Sequence, residues 1–103
     1  MEPTVVLCTV PTQEIAWQIA QALVEERLAA CVSLVPGLRS IYRWQGRICD
    51  DPEVLLLIKT RREKYPLLLR RLQEIHPYEV PEVQAVAVVE TAPSFRKWLE
   101  EAT

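Results

Sequence analysis

Between Pro3 and Pro11 the chain runs Thr-Val-Val-Leu-Cys-Thr-Val, a β-branched apolar stretch that predicts a first strand over 4–10. The period then lengthens. Ile15, Ile19 and Leu23, with Ala16, Ala20 and Val24, recur at helical spacing, and Thr12 stands where an N-cap is needed. This predicts a helix ending near Leu28. From Ala29 to Gln45 the pattern is extended again, bent at Pro36-Gly37 and closed by a turn at Gly46. At roughly 3.3 Å per residue this second strand would reach about 50 Å, where an ordinary strand spans about 17–20 Å. A domain of this length has a radius of gyration near ~13 Å, so part of the strand must project. A projecting strand that carries Ile41, Tyr42 and Trp44 invites association unless something pairs with it. The natural partner is another copy of the chain.

After Gln45-Gly46-Arg47 a third strand begins at Ile48 and returns along the second, which makes a protruding hairpin. Cys49-Asp50-Asp51-Pro52 predicts an interruption before Glu53–Lys59, since Pro52 removes a ladder donor. Thr60-Arg-Arg-Glu63 has the form of a capping box. Tyr65, Leu68, Leu69, Leu72 and Ile75 then make a second amphipathic helix, whose regular start Pro66 shifts toward Glu63. His76-Pro77 stops it. Tyr78–Glu82 reads as a loop, Val83–Val89 as a fourth strand, and Pro93 opens a last helix with Phe95, Trp98, Leu99 and Ala102 on one stripe.

The order β-α-β-β-α-β-α is that of a ferredoxin-like α+β domain: a βαββαβ sandwich with a long β2–β3 hairpin and an extra C-terminal helix. An antiparallel sheet with helices on one face should alternate apolar and polar. Here Val-Leu-Leu-Leu-Ile and Ala-Val-Ala-Val-Val are apolar on both faces. The open face must be covered, and the last helix is too short to do it alone, which again points to self-association.

Composition adds exclusions. The 103 residues contain no linker, repeat or low-complexity tract, so residues 1–103 are expected to form a single domain. A net charge of −2 leaves no basic footprint for nucleic acid. The N-terminus lacks the features of a signal peptide, and the longest apolar run, Val54–Ile58, is too short for a membrane span. Cys8, Cys31 and Cys49 are odd in number and widely spaced, which fits a reduced, cytoplasmic setting rather than a disulfide framework or a zinc site.

With His76 as the only histidine, multi-histidine metal motifs are excluded within one chain, and a nucleophile–base pair would have to join Cys31 or Cys8 to His76. His76-Pro-Tyr-Glu-Val-Pro81 reads either as a rigid connector with His76 at the helix end, or as a pocket wall offering His76 and Glu79. Cys49-Asp50-Asp51 is a solvated turn or a small ligand set. Tyr42 and Trp44 suit a cleft or an oligomer interface equally.

Four blocks carry a further resemblance: Glu25-Glu-Arg-Leu-Ala-Ala-Cys-Val32, Val35–Gly46, Glu53–Thr60 and His76-Pro-Tyr-Glu-Val-Pro-Glu82. In order and spacing they resemble the CutA divalent-cation-tolerance family across nearly the whole chain. The resemblance implies a tight homotrimer, a role in response to metal ions, and copper or another divalent cation bound at clefts between subunits. By position those clefts would draw on Arg39, Tyr42, Trp44, Lys59, Tyr78 and Glu79 for ligand contacts. His76, Cys31 and Glu79 would be the metal ligands. The chain departs from the family at Ala85-Val86-Ala87, where Ala-Leu-Pro is usual, and at Thr91-Ala92, where a glycine is usual. The expectation is a non-enzymatic cation-response trimer. A small-molecule-sensing trimer without metal and a Cys31/His76 enzyme are the alternatives.

Overall fold

The computed structural model covers Met1–Thr103. Its elements are β1 (Pro3–Val10), α1 (Gln13–Glu25), β2 (Cys31–Trp44), β3 (Arg47–Arg61), α2 (Tyr65–Ile75), β4 (Gln84–Ala87) and α3 (Pro93–Ala102). The four strands form one antiparallel sheet in the order β2-β3-β1-β4, the ferredoxin-like arrangement expected.

Alternation decides which face meets the helices. Along β1 every second residue is buried, and on β3 Val54, Leu56, Ile58 and Thr60 are. These side chains pack with Ala16, Ile19 and Leu23 of α1 and with Leu68 and Leu72 of α2. Val5, Leu7, Leu55 and Leu57 on the opposite face are only half-buried. α3 docks at one end of the sheet, where Arg61 Nε donates to Thr103 Oγ1 at 2.9 Å.

β3 is longer than the body of the sheet. Its Val54–Arg61 half lies between β1 and β2, whereas Arg47–Glu53 pairs with β2 alone. The hairpin so formed accounts for a long axis of 44 Å against 25 and 23 Å across. Ile41 and Ile48 on it are 72% and 64% exposed. Gln45 and Gly46 close its tip with positive φ angles of 50° and 77°.

Three local expectations are corrected. β3 runs unbroken through Pro52, which pairs with Arg39. Before Val54 one flank of β3 has no neighbour, and a proline is tolerated there because no second ladder needs its N–H. The register shift falls instead on β2, between Val35 and Leu38, at Pro36-Gly37. Thr60 caps nothing. It is the last inward residue of β3, a 3₁₀ turn over Arg62–Lys64 follows, and α2 begins at Tyr65 with Pro66 in its first turn. β4 keeps only Gln84–Ala87 of the predicted strand.

α1 starts where expected and ends sooner. Thr12 Oγ1 accepts from the Ile15 N–H at 3.2 Å and caps α1. At the far end Arg27 adopts a left-handed φ of 58°. That turn lets the Arg27 and Leu28 amides bond back to the Val24 and Leu23 carbonyls, closing α1 earlier than Leu28.

Candidate functional site

The loop from α2 to β4 crosses the end of the sheet where the hairpin leaves the body. His76 anchors it. The Tyr78 amide donates to His76 Nδ1 at 3.0 Å, so Nδ1 is an acceptor and Nε2 carries the proton that meets the Thr9 carbonyl at 2.8 Å. The imidazole is 8% exposed and both ring nitrogens are used. This is the connector role that the sequence allowed for His76, and it takes the ring out of metal ligation within the subunit.

The anchored loop brings Tyr78 over the base of β3. Its hydroxyl donates to Glu53 Oε2 at 2.6 Å. Burial first, and then the bond to Glu53, push the Tyr78 phenol well above the ordinary tyrosine range. On the hairpin, Tyr42 donates to Asp51 Oδ2. That bond is the first cause holding the Tyr42 phenol up at about 12.

Between loop and hairpin lies a cleft of about 670 Å³. Tyr42, Trp44, Tyr78, Glu53, Glu79 and Glu82 give it its chemical character, and Thr9 and Ser40 add hydroxyls. No lysine, arginine or histidine lines it. Glu53 is 7% exposed. Its Oε1 accepts no hydrogen bond, yet no fully enclosed side-chain oxygen in the subunit lacks a partner. Oε1 is therefore not fully enclosed. Burial, followed by the charges of Glu82 and Glu53, raises the Cys8 thiol to about 12.

Of the residues singled out in the sequence, Tyr42, Trp44, Tyr78 and Glu79 come together in this cleft. Three do not. Arg39 turns to Asp50, with an Nη2–Oδ2 distance of 3.0 Å. Cys31 and Lys59 face each other across the opposite end of the sheet, where Lys59 donates to Ser33. Lys59 pairs four positions along β3 from Leu55, the partner of Thr9, which is about 13 Å at strand spacing. His76, Cys31 and Glu79 are thus not one ligand set within one chain, and the chain has no cluster of three His, Cys, Asp or Glu side chains able to hold a metal ion. The same separation keeps Cys31 and His76 of one chain apart.

Glu53 was not among the residues that the sequence singled out. Its one signal is a carboxylate opening an otherwise apolar strand, Glu-Val-Leu-Leu-Leu-Ile.

A four-stranded ferredoxin-like subunit with a projecting hairpin and an acidic, aromatic cleft at its foot defines the class of protein. No helix is long and apolar enough to cross a membrane. The CutA1 divalent ion tolerance protein profile matches residues 4–102, and the chain belongs to that family. It is 54% identical over 99 residues to the divalent-cation tolerance protein CutA of Thermus thermophilus, covering 96% of each. The solved Thermus thermophilus structure superposes with a TM-score of 0.95 at 53% identity, covering 98% of each chain. Protein CutA of Mus musculus is 45% identical over 95 residues, where the match spans 92% of this chain and 54% of the mouse protein. A CutA from Archaeoglobus fulgidus, titled a periplasmic divalent cation tolerance protein, gives a TM-score of 0.94 at 31% identity over 97% of each chain. The family is named for tolerance, not for a reaction.

Proposed function

We propose that this chain is a non-catalytic cation-response protein that works as a homotrimer in the cytoplasm, with the cleft at the foot of the hairpin as its cation site. The observation that carries this reading is the lining: three carboxylates beside three aromatic rings, with no basic side chain to neutralise them. Such a cleft lowers the energy of a cation and repels anions.

Support for the trimer comes from the unfinished half of β3, from exposed Ile41 and Ile48, and from the half-buried open face. A second copy laid there would satisfy all three. Copper or another divalent cation would need donors from more than one subunit, since copper favours imidazole and thiolate and one subunit does not converge them. The three unpaired cysteines, Cys8, Cys31 and Cys49, suit a reduced compartment. A small-molecule-sensing trimer without metal is the second reading, favoured by a cleft volume typical of small-ligand sites.

Light scattering at low micromolar concentration should give about three times the 11.9 kDa subunit mass. Calorimetric titration with Cu²⁺ of the wild type and Glu79→Ala should show weaker uptake by the variant. A monomer would remove the assembly. Equal uptake would put copper outside the cleft.

A further inference from the structure

We propose that Arg61 is a clamp that holds α3 on the body independently of β4, so that β4 parts from β1 as a loop pinned at both ends and not as a segment free to pair elsewhere. The clamp sits at the end of the sheet away from the cleft, where Arg61 closes β3 opposite Pro3.

α3 needs an anchor. It has ten residues, fewer than the roughly 12–15 at which a helix stands alone in water. Leu99 is its one buried residue, and Ala92 at its start offers no capping side chain. Arg96 donates to the Met1 carbonyl near that start, from an exposed side chain. The firm attachment is at the other end.

Arg61 supplies it. Its Nε donates to Thr103 Oγ1 at 2.9 Å and its Nη2 to the Glu100 carbonyl at 2.5 Å. Nη1 meets Glu63 Oε1 at 2.9 Å, which aims the fork. Thr103 Oγ1 in turn donates to the Leu99 carbonyl at 2.7 Å. The last carbonyls of a helix have no partner within it and carry the negative end of its dipole. Here one is satisfied by the guanidinium and one through a hydroxyl that the guanidinium holds. The Arg61 side chain is only 18% exposed, so water competes poorly for these bonds. Arg27 adds a contact to the Glu101 carbonyl at 3.5 Å, too long to replace them.

β4 lies between two fixed points. Upstream, the Tyr65 hydroxyl holds the Val83 carbonyl at 3.0 Å. Downstream, Arg61 holds α3. Between them a short ladder joins Gln84–Ala87 to β1, with one side-chain bond from Thr4 to the Val86 carbonyl. When that ladder opens, both ends of the stretch 84–92 stay in place, and a short loop recloses at small entropic cost. Without the clamp, Ala85–Val89 would leave with α3 attached. An apolar strand released in that way is a template for pairing with another chain, which is how copies exchange segments.

Hydrogen exchange of the assembled protein, followed amide by amide, tests this. In the wild type, β4 amides should exchange faster than those in the last turn of α3. Arg61→Leu, which keeps an apolar stem and removes every donor, should speed exchange in α3 at least about tenfold, the scale of lost charge-assisted bonds. Exchange at Cys8 and Leu56 in the inner ladder should not change. Thr103→Val removes only the Thr103 bonds and should loosen α3 by less, and it decides the matter should Arg61→Leu not fold. After long incubation Arg61→Leu should also sediment in part as species larger than the wild-type assembly. Wild-type α3 exchange in the folded variants, or α3 and β4 opening together in the wild type, overturns the clamp. Equal loss of protection throughout the Arg61→Leu core would make Arg61 an ordinary folding residue and overturn it too. A loosened α3 with wild-type sedimentation would remove the protection against exchange between copies.

Discussion

Thr60 Oγ1 donates a 2.7 Å hydrogen bond to the carbonyl of Leu28, tying the last inward residue of β3 to the turn that leaves α1. Thr60 is fully buried, so water cannot take over either half of that bond. Thr60→Val keeps the shape and removes the donor. It should cost about 1–3 kcal/mol, the scale of a buried acceptor left unpaired, while Thr60→Ser should retain most of the stability. Urea denaturation of the three proteins decides the matter. A valine variant as stable as wild type would show that the bond contributes nothing.

Arg27 closes α1 with a φ of 58°, a conformation in which a Cβ crowds the following carbonyl. Arg27→Gly should stabilise the protein by about 1 kcal/mol through relief of that crowding. Arg27→Ala removes the same side chain and keeps the Cβ, so it should show no gain. Thermal melting that ranks alanine above glycine would contradict the strain.

Trp44 shares the exposed hairpin with Ile41 and Ile48. Trp44→Asp should disturb assembly more than the subunit fold, because the subunit core is built elsewhere, from β1, the inner half of β3 and the two main helices. Losing a central aromatic anchor costs about 2–4 kcal/mol of association. Sedimentation and circular dichroism on the same sample separate the two effects. An unchanged oligomer would remove Trp44 from the interface.

Cys8 gives an alkaline signature. Its thiol rises from 9.0 unfolded to about 12 folded, chiefly through burial. A pKa raised by folding contributes stability that is complete below the unfolded value and lost as pH climbs through the folded one. The unfolded chain releases this proton above pH 9 while the native chain holds it, so stability should fall by roughly 1.4 kcal/mol per pH unit from this group. The loss should run from about pH 9 to about pH 12. Cys8→Ala should begin less stable, because a buried side chain is shortened, but decline less steeply. Denaturation midpoints between pH 7.5 and 10 test this, and parallel slopes would refute it.

How much of this was legible in the sequence depended on which force set each feature. Strand and helix order followed from period, because Ile15, Ile19 and Leu23 must face the sheet and Val54, Leu56 and Ile58 must face them. The long hairpin followed from length alone. The errors have physical causes. Thr60 resembles a helix cap in sequence, yet alternation along β3 turns it inward, and burial outranks capping. Pro52 resembles a break, yet it lies where β3 has a single neighbour.

The site was half legible. Tyr42, Trp44, Tyr78 and Glu79 stood out as polar-aromatic residues in loop and hairpin, and they do meet. Cys31 and His76 looked joinable because a sequence carries no strand register, and register separates them by the length of the inner β3 segment. Glu53 stayed hidden because one carboxylate at the edge of an apolar strand resembles an ordinary strand end. Only Tyr78, twenty-five positions later, reveals what it does.

The shortness of β4 has a kinetic consequence. Its four residues, all exposed, pair only with β1, at the other end of the chain, with Thr4 opposite Ala87. The β2–β3 hairpin zips across a two-residue turn, whereas β4 must wait for a loop of some eighty residues to close, an entropic cost that few contacts repay. β4 should therefore be the last strand to arrive and the first to let go. The loop carrying Tyr78 and Glu82 is tethered at both ends before β4 begins, at His76 by the Thr9 carbonyl and at Val83 by the Tyr65 hydroxyl, so β4 can let go without it. In amide hydrogen exchange, Val5–Val86 pairing should open long before Cys8–Leu56 pairing, so that the sheet would fray from its β4 edge while the cleft wall and the inner strands stay shut.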